Sequence, residues 1–348
     1  MTATEEQVRQ ALRTIQDPQL NRDIVSLDVI KDLNIRGANV AFTIAMATGT
    51  AAGEQIKTEA EQAVMAIPGV DKVAVLLRAQ APSSNPAELP KPAIAGVRHV
   101  IAVSSGKGGV GKSTATVNLA CTLAKRGARV GVLDADLYGP NIPMMLGISG
   151  QPAATGSMII PFDRVGIKAM SIGLMVPEDQ PIVWRGPRLH KAIQQFLFDV
   201  AWGELDHLLV DMPPGTGDAQ LSLSQHVHLS GAVLVTTPQN VSVHDVRKAV
   251  RMFESVKVPI LGVIENMAWF SPPGSDDRFE IFGSGGGNRI TQEFGVPLLG
   301  QLPIDLAVSA GGDAGTPAVT AQPSSEFASS FDAIAKLVEE RLETLSSS

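Results

Sequence analysis

Apolar and polar positions divide the chain into two regions of different rhythm. In the first eighty residues the elements are few and short. Glu5 to Ile15 reads as a helix ended by Asp17-Pro18. Val29 to Ile35 and Val40 to Met46 read as strands around the turn Arg36-Gly37-Ala38-Asn39. Glu54 to Ala66 reads as a second helix closed by Pro68-Gly69, and Val70 to Leu77 as a last strand. The order αββαβ predicts a small α+β domain over residues 1–80.

From residue 97 onward, apolar strand-like runs alternate with helical segments. Strands are predicted at 98–104, 129–134, 166–172, 207–211, 231–236, 258–264 and 297–299. Their β-branched runs suit strands buried on both faces, as in parallel sheets. Crossover helices fit between most of them, so residues 97–348 are expected to form a doubly wound, mostly parallel α/β domain. Its ligand site belongs at the C-terminal ends of the strands. Between the two regions, residues 81–96 carry Pro82, Pro86, Pro90 and Pro92 and read as an extended linker. The last helix, about Glu326 to Leu345, has Phe327, Phe331, Ile334, Val338, Leu342 and Leu345 at helical spacing. It carries more acids than bases, so it is expected to dock on the body and not on a membrane.

Composition narrows the classes. The 348 residues are 44% hydrophobic, enough for a sizeable core, and the net charge of −7 without a basic block gives no case for nucleic-acid binding. The polar, acidic N-terminus is wrong for a signal peptide, and no apolar run approaches the ~18 residues of a membrane helix. A cytoplasmic protein with no nucleic-acid or membrane partner is the expectation. One cysteine, Cys121, excludes an internal disulfide.

The chemistry concentrates at Gly106-Lys107-Gly108-Gly109-Val110-Gly111-Lys112-Ser113-Thr114, which satisfies G-x-x-x-x-G-K-[ST] between a strand and a helix. Backbone N–H groups of such a loop converge on phosphate oxygens, and the helix that follows adds its positive end. Lys112 is assigned to the β/γ-phosphates and the Ser113 hydroxyl to Mg²⁺. A second lysine at Lys107 resembles the deviant Walker A group, in which it crosses a dimer interface to the partner's nucleotide and stabilises charge developing in phosphoryl transfer. Asp211, ending an apolar run, reads as the Walker B carboxylate for Mg²⁺. The turn Pro213 to Gly217 that follows is placed to sense the γ-phosphate. Asp136 is the candidate for orienting the attacking water, with Asp134 supporting Mg²⁺. Asn266, after Glu265, is assigned to adenine, since an amide donates and accepts at once. The six histidines form no convincing metal pattern.

Several segments together carry a wider resemblance: Gly106 to Thr114, Leu133 to Asn141, Trp184 to Pro187, Asp211 to Asp218, Thr236 to Gln239 with Asp245 to Ala249, Glu265 to Met267 and Phe282 to Gly287. They are similar to the Mrp/ApbC family of ATP-binding iron–sulfur cluster carriers, relatives of the septum-site and chromosome-partition ATPases. Asp17 to Leu20 and Ile24 to Leu27 resemble the small cluster-maturation domain often fused ahead of that ATPase. The resemblance implies a homodimer that binds and slowly hydrolyses ATP and passes a labile [4Fe–4S] cluster, held between subunits, to apo iron–sulfur clients. It also implies a Cys-x-x-Cys pair of cluster ligands after Glu265-Asn266-Met267. That place reads Phe270-Ser271-Pro272-Pro273-Gly274-Ser275-Asp276-Asp277, and Thr48 to Ala52 also lacks the cysteine often found in the small domain. Cys121, on the phosphate-loop helix, reads as a packed core residue. The sequence therefore admits three functions: a cluster carrier with unusual or partner-supplied ligands, a cluster-free ATPase switch acting as a maturation adaptor or chaperone, and a positioning ATPase of the partition type.

Overall fold

The computed structural model describes residues 3–17, 22–26, 29–45, 51–78, 92–136, 139–175, 186–275 and 277–346. The chain divides into two compact units, Met1–Leu89 and Pro90–Ser348. Most of the Pro-rich 81–96 stretch lies outside the described residues, as do Pro18 to Leu20, Leu27, Thr48 to Thr50, Leu137, Tyr138, Trp184 and Arg185. Ile94, at the end of that stretch, is buried in the core of the second unit.

The first unit contains α1 (Glu5–Leu12), the two-residue strands β1 (Gln16–Asp17) and β2 (Arg22–Asp23), β3 (Ile30–Arg36), β4 (Asn39–Ala45), α2 (Ala51–Met65) and β5 (Lys72–Arg78). A capping box between Thr4 and Gln7 starts α1 by satisfying two otherwise orphaned amides. The helix stops at Leu12, short of the predicted Ile15, because Gln16 and Asp17 pair with β2. β3 and β4 are antiparallel, β4 and β5 parallel, and Val8, Leu12, Ile24, Phe42, Ile56 and Val64 lie in one apolar core.

The second unit runs β6 (Val97–Ser105), α3 (Lys112–Lys125), β7 (Val130–Asp134), α4 (Ile142–Met145), the hairpin β8 (Ala154–Thr155) and β9 (Met158–Ile159), β10 (Phe162–Arg164) and β11 (Ile167–Ser171). It continues with α5 (Gly186–Phe198), β12 (Leu205–Asp211), α6 (Asp218–His226), β13 (Gly231–Thr236), α7 (Asn240–Ser255), β14 (Ile260–Glu265), α8 (Gly286–Phe294) and β15 (Leu298–Gln301). Three helices close the chain: α9 (Leu306–Asp313), α10 (Ala318–Ala321) and α11 (Glu326–Ser346). The eight-stranded sheet has the order β10-β11-β7-β12-β6-β13-β14-β15 and is parallel except for β10. The doubly wound α/β fold thus stands as expected. The hairpin β8–β9 and the edge strand β10 are additions that the apolar pattern did not announce.

Both faces of the sheet are covered, and the strands show why they are apolar throughout. Val100 and Ala102 of β6 face one core with Phe196, Leu223 and Val250, while Ile101 and Val103 face the other with Leu119, Phe331 and Val338. Helices α5, α6 and α7 therefore cover one face, and α3 and α11 the other. Helix α11 buries Phe327, Phe331, Ile334, Val338 and Leu342, at roughly 1.5–3 kcal/mol for each large side chain. Its expected docking on the body is what the structure shows. No helix of the described residues is long and apolar enough to cross a membrane.

The order of the strands fixes where a ligand belongs. From β6 the chain crosses over β12 to reach β7, whereas β13 pairs with the opposite side of β6. The C-terminal ends of β6, β7 and β12 meet at this reversal, which is where open α/β sheets bind ligands.

Candidate nucleotide site

Strand β6 ends at Ser105 and α3 begins at Lys112, so residues 106–111 turn tightly across the top of the sheet. Gly106 has no alternative there: a Cβ would run into the backbone of Asp245 and Val246 in α7. Gly111 stands at φ +82°, left-handed, and a side chain on it would meet the Asn266 amide. The N-terminus of α3 carries no side-chain cap, so its first-turn N–H groups face the loop as anion donors.

The polar groups behind the loop are buried and interlocked. The Lys112 ammonium lies 2.9 Å from Oδ2 of Asp211 and 3.5 Å from Oδ2 of Asp136. The Ser113 hydroxyl donates to Asp211 Oδ2 at 2.6 Å, and the Thr116 hydroxyl donates to Oδ1 of the same carboxylate at 2.8 Å. Asp134 is engaged on both oxygens: Oδ1 accepts from the Asp136 N–H, and Oδ2 from the Ile142 N–H and the Ser171 hydroxyl. Burial, joined by the nearby Asp211 charge, pushes the Asp134 carboxyl up to about 8. Asp134 thus holds the loop that carries Asp136, while Ser113 and Asp211 present their oxygens together.

Two members of this network escaped the sequence pattern. Thr116 is one turn beyond Lys112 on α3, so helical spacing could have placed it beside Asp211. Ser171 ends β11, and only the pairing of β11 with β7 brings it to Asp134.

Beside the loop lies a cavity of about 450 Å³, lined in part by Gly111, Thr114, Asn118, Asn266 and Pro303. It is mostly apolar with a few polar groups, the composition of a small-molecule pocket. Asn266 reaches it from the end of β14 and donates Nδ2 to the Val110 carbonyl at 2.9 Å, which ties it to the phosphate loop. Glu265 has a structural task, accepting from the Gly286 N–H and from Gln301 Nε2, both at 2.7 Å.

Lys107 is half-buried at the loop's outer edge, and among the described residues its ammonium has no hydrogen-bond or ion-pair partner. Its carbonyl accepts from the Ser105 hydroxyl at 2.9 Å.

Thiolate ligands for a cluster are not assembled. Cys121 is buried in the core under α11, and burial pushes its thiol up to about 12. In place of a Cys-x-x-Cys pair, Phe270 and Phe279 exchange two backbone hydrogen bonds of 2.9 Å. Arg278 stacks 4.4 Å over the Trp269 ring and pairs with Glu326 at 2.6 Å. This loop is closed by its own backbone and a cation on an aromatic ring. Among the described residues no group of three or more His, Cys, Asp or Glu side chains could hold a metal ion.

Comparison with known proteins follows the same division of the chain. Residues 96–339 match the family described as NUBPL iron-transfer P-loop NTPase, and residues 5–77 match the iron-sulfur cluster assembly protein family. Over 343 residues the chain is 48% identical to the iron-sulfur cluster carrier protein of Synechocystis sp., covering 96% of this chain and 97% of the relative. A solved nucleotide-binding protein from Archaeoglobus fulgidus, in complex with ADP, is 39% identical with a TM-score of 0.59, over 66% of this chain and 90% of that one. The cell division ATPase MinD of Pyrococcus furiosus is 25% identical with a TM-score of 0.52, over 70% of this chain and 98% of its own.

Proposed function

We propose, from the premise that this chain belongs to the iron-transfer P-loop NTPase family, that it is an ATP-hydrolysing iron–sulfur cluster carrier that delivers clusters to apo client proteins in the cytoplasm. The observation that carries the reading is the convergence of Lys112, Ser113, Asp136 and Asp211 behind residues 106–114. ATP binds with its phosphates on the loop amides and Lys112, and its adenosine in the adjoining cavity beside Asn266. The ADP held by the Archaeoglobus fulgidus neighbour supports an adenine nucleotide.

The Ser113 hydroxyl and Asp211 carboxylate are hard oxygen donors that fit Mg²⁺, which would neutralise charge on the phosphate oxygens when bound. Asp136, held by Asp134, orients the attacking water. Lys107 has an uncommitted cation at the rim and reaches the nucleotide of a second copy in a homodimer. Turnover is slow, since a switch needs a long-lived state more than speed.

Iron–sulfur clusters are held mainly by thiolates. One buried cysteine per chain gives two in a homodimer, neither of them accessible, so this chain does not supply a thiolate cage. The thiolates come from outside it. Burial of Cys121 also favours a second reading, a cluster-free ATPase that works as a maturation adaptor.

Anaerobic reconstitution with iron, sulfide and glutathione, a thiol that supplies the outside ligands, separates the two. Bound iron and sulfide, released to an apo client on ATP addition, support the carrier. A colourless protein that still hydrolyses ATP leaves the adaptor. Absence of ATP hydrolysis and of nucleotide binding would overturn both.

A further inference from the structure

The turn that follows Asp211 has a weakness built into its sequence. Pro213 and Pro214 have no N–H, so this turn cannot be closed by its own first amides and needs partners from elsewhere. The structure supplies two. The Gly215 N–H donates to the Ser105 carbonyl at 3.3 Å. The buried Pro213 carbonyl accepts from Nε2 of Gln220, on α6.

Gln220 is only 1% exposed, and both ends of its amide are used. Its Oε1 accepts from the Ser104 hydroxyl at 3.4 Å, and Ser104 is itself fully buried near the end of β6. The next residue, Ser105, holds the Lys107 carbonyl through its hydroxyl. Gln220 therefore bridges the turn after Asp211 to the strand that delivers the phosphate loop. A buried amide with both ends paired is costly to disturb, because each broken bond leaves an unsatisfied group.

We infer that Gln220, acting through Ser104 and Pro213, is a positioning residue that keeps the 213–217 turn in register with the phosphate loop for phosphoryl transfer. Thr216 and Gly217, between this anchor and α6, then face the γ-phosphate at a fixed distance. The inference rests on the ATPase reading above and adds the element that sets the turn's geometry.

The test compares Gln220→Met, which keeps length but loses donor and acceptor, with Gln220→Glu, Ser104→Ala and the Ser104→Ala/Gln220→Met pair. In Gln220→Met, kcat is expected to fall at least about 10-fold while ADP affinity changes by less than about 3-fold, because misplacement acts on the reacting geometry. The pair is expected to be no worse than Gln220→Met alone, since both changes break one bridge. In Gln220→Glu, kcat relative to wild type is expected to recover as pH falls, because a protonated carboxyl again donates to the Pro213 carbonyl. Equal losses of kcat and ADP affinity, or a kcat within about 2-fold of wild type, would overturn the inference while leaving the ATPase reading intact. Hydrogen exchange decides independently of turnover. The Gly215 amide is expected to exchange at least about 10-fold faster in Gln220→Met, and unchanged exchange rejects the bridge even in a protein that hydrolyses nothing.

Discussion

Oδ2 of Asp211 is shared: the Lys112 ammonium sits 2.9 Å from it and the Ser113 hydroxyl donates to it at 2.6 Å. One carboxylate oxygen thus gathers the side chain assigned to phosphate and the one assigned to Mg²⁺. Lys112→Ala removes the only ion-pair partner shown for Asp211 among the described residues. It is expected to lower ATP turnover by at least about 100-fold, as loss of a group that stabilises transition-state charge does. It also leaves a buried carboxylate unpaired, at a cost of roughly 3 kcal/mol in folding stability. Steady-state hydrolysis and urea unfolding of the same preparation measure both. Wild-type turnover in that variant would remove the site assignment.

Lys107 gives a prediction of the opposite kind. Its ammonium has no partner among the described residues, so removing it breaks no hydrogen bond or ion pair of that group. Lys107→Ala is expected to keep ADP affinity and thermal stability while kcat drops by about 10³-fold, the lower end for a cation supplied in trans to a phosphoryl transfer. Mixing it with Lys112→Ala is the sharper measurement. A mixed dimer pairs an intact Lys107 with an intact loop in the other subunit, so activity is expected to return on mixing. Activity that stays lost would place Lys107 in its own subunit's site.

The parts of this molecule that were legible before the structure are those encoded locally. Alternate residues of β6, such as Ile101 and Ala102, face different cores, so an unbroken apolar run announced a doubly covered strand. The phosphate loop was legible because its glycines and Lys112 act within ten residues. The edge strand Phe162–Arg164 was not, because its hydrogen bonds to β11 hold it and its own pattern is half polar. The same holds for Ser171 and Gln220. Hydroxyls and amides that pair across 37 or 116 residues acquire their role only when the sheet brings them together.

Cys121 separates the cluster question from the nucleotide question. Burial raises its thiol to about 12, against an ordinary free thiol near 8.5, so at pH 8 very little of it is thiolate. Alkylation of the native protein is expected to run at least about 10³-fold slower than in urea. Cys121→Ala shortens a packed core side chain and is expected to cost about 1 kcal/mol. It is also expected to leave the iron bound on reconstitution unchanged. A variant that loses its iron while staying folded would show that Cys121 is a ligand after all.

His99 of β6 and His207 of β12 are partners in register, and their rings stack with centroids 5.6 Å apart. His207 is 7% exposed and its Nδ1 has no hydrogen-bond partner among the described residues. Burial, then the His99 and Arg98 charges, push His207 down to about 4, with Asp206 pulling the other way. Asp206 is itself committed to Arg129 at 3.0 Å, while Glu339 and Glu343 of α11 line the same pocket. An unfolded histidine takes its proton near 6.5, so the unfolded chain protonates first. Stability from this group is complete above about pH 6.5 and is lost as pH falls toward 4, by at most about 3 kcal/mol. His207→Leu removes the proton linkage and is expected to flatten that part of the pH profile. Urea midpoints at pH 7.5 and pH 5 for both proteins decide it. An equal drop in the two would assign acid sensitivity to carboxylates elsewhere, and a drop confined to wild type would place it on this stacked pair.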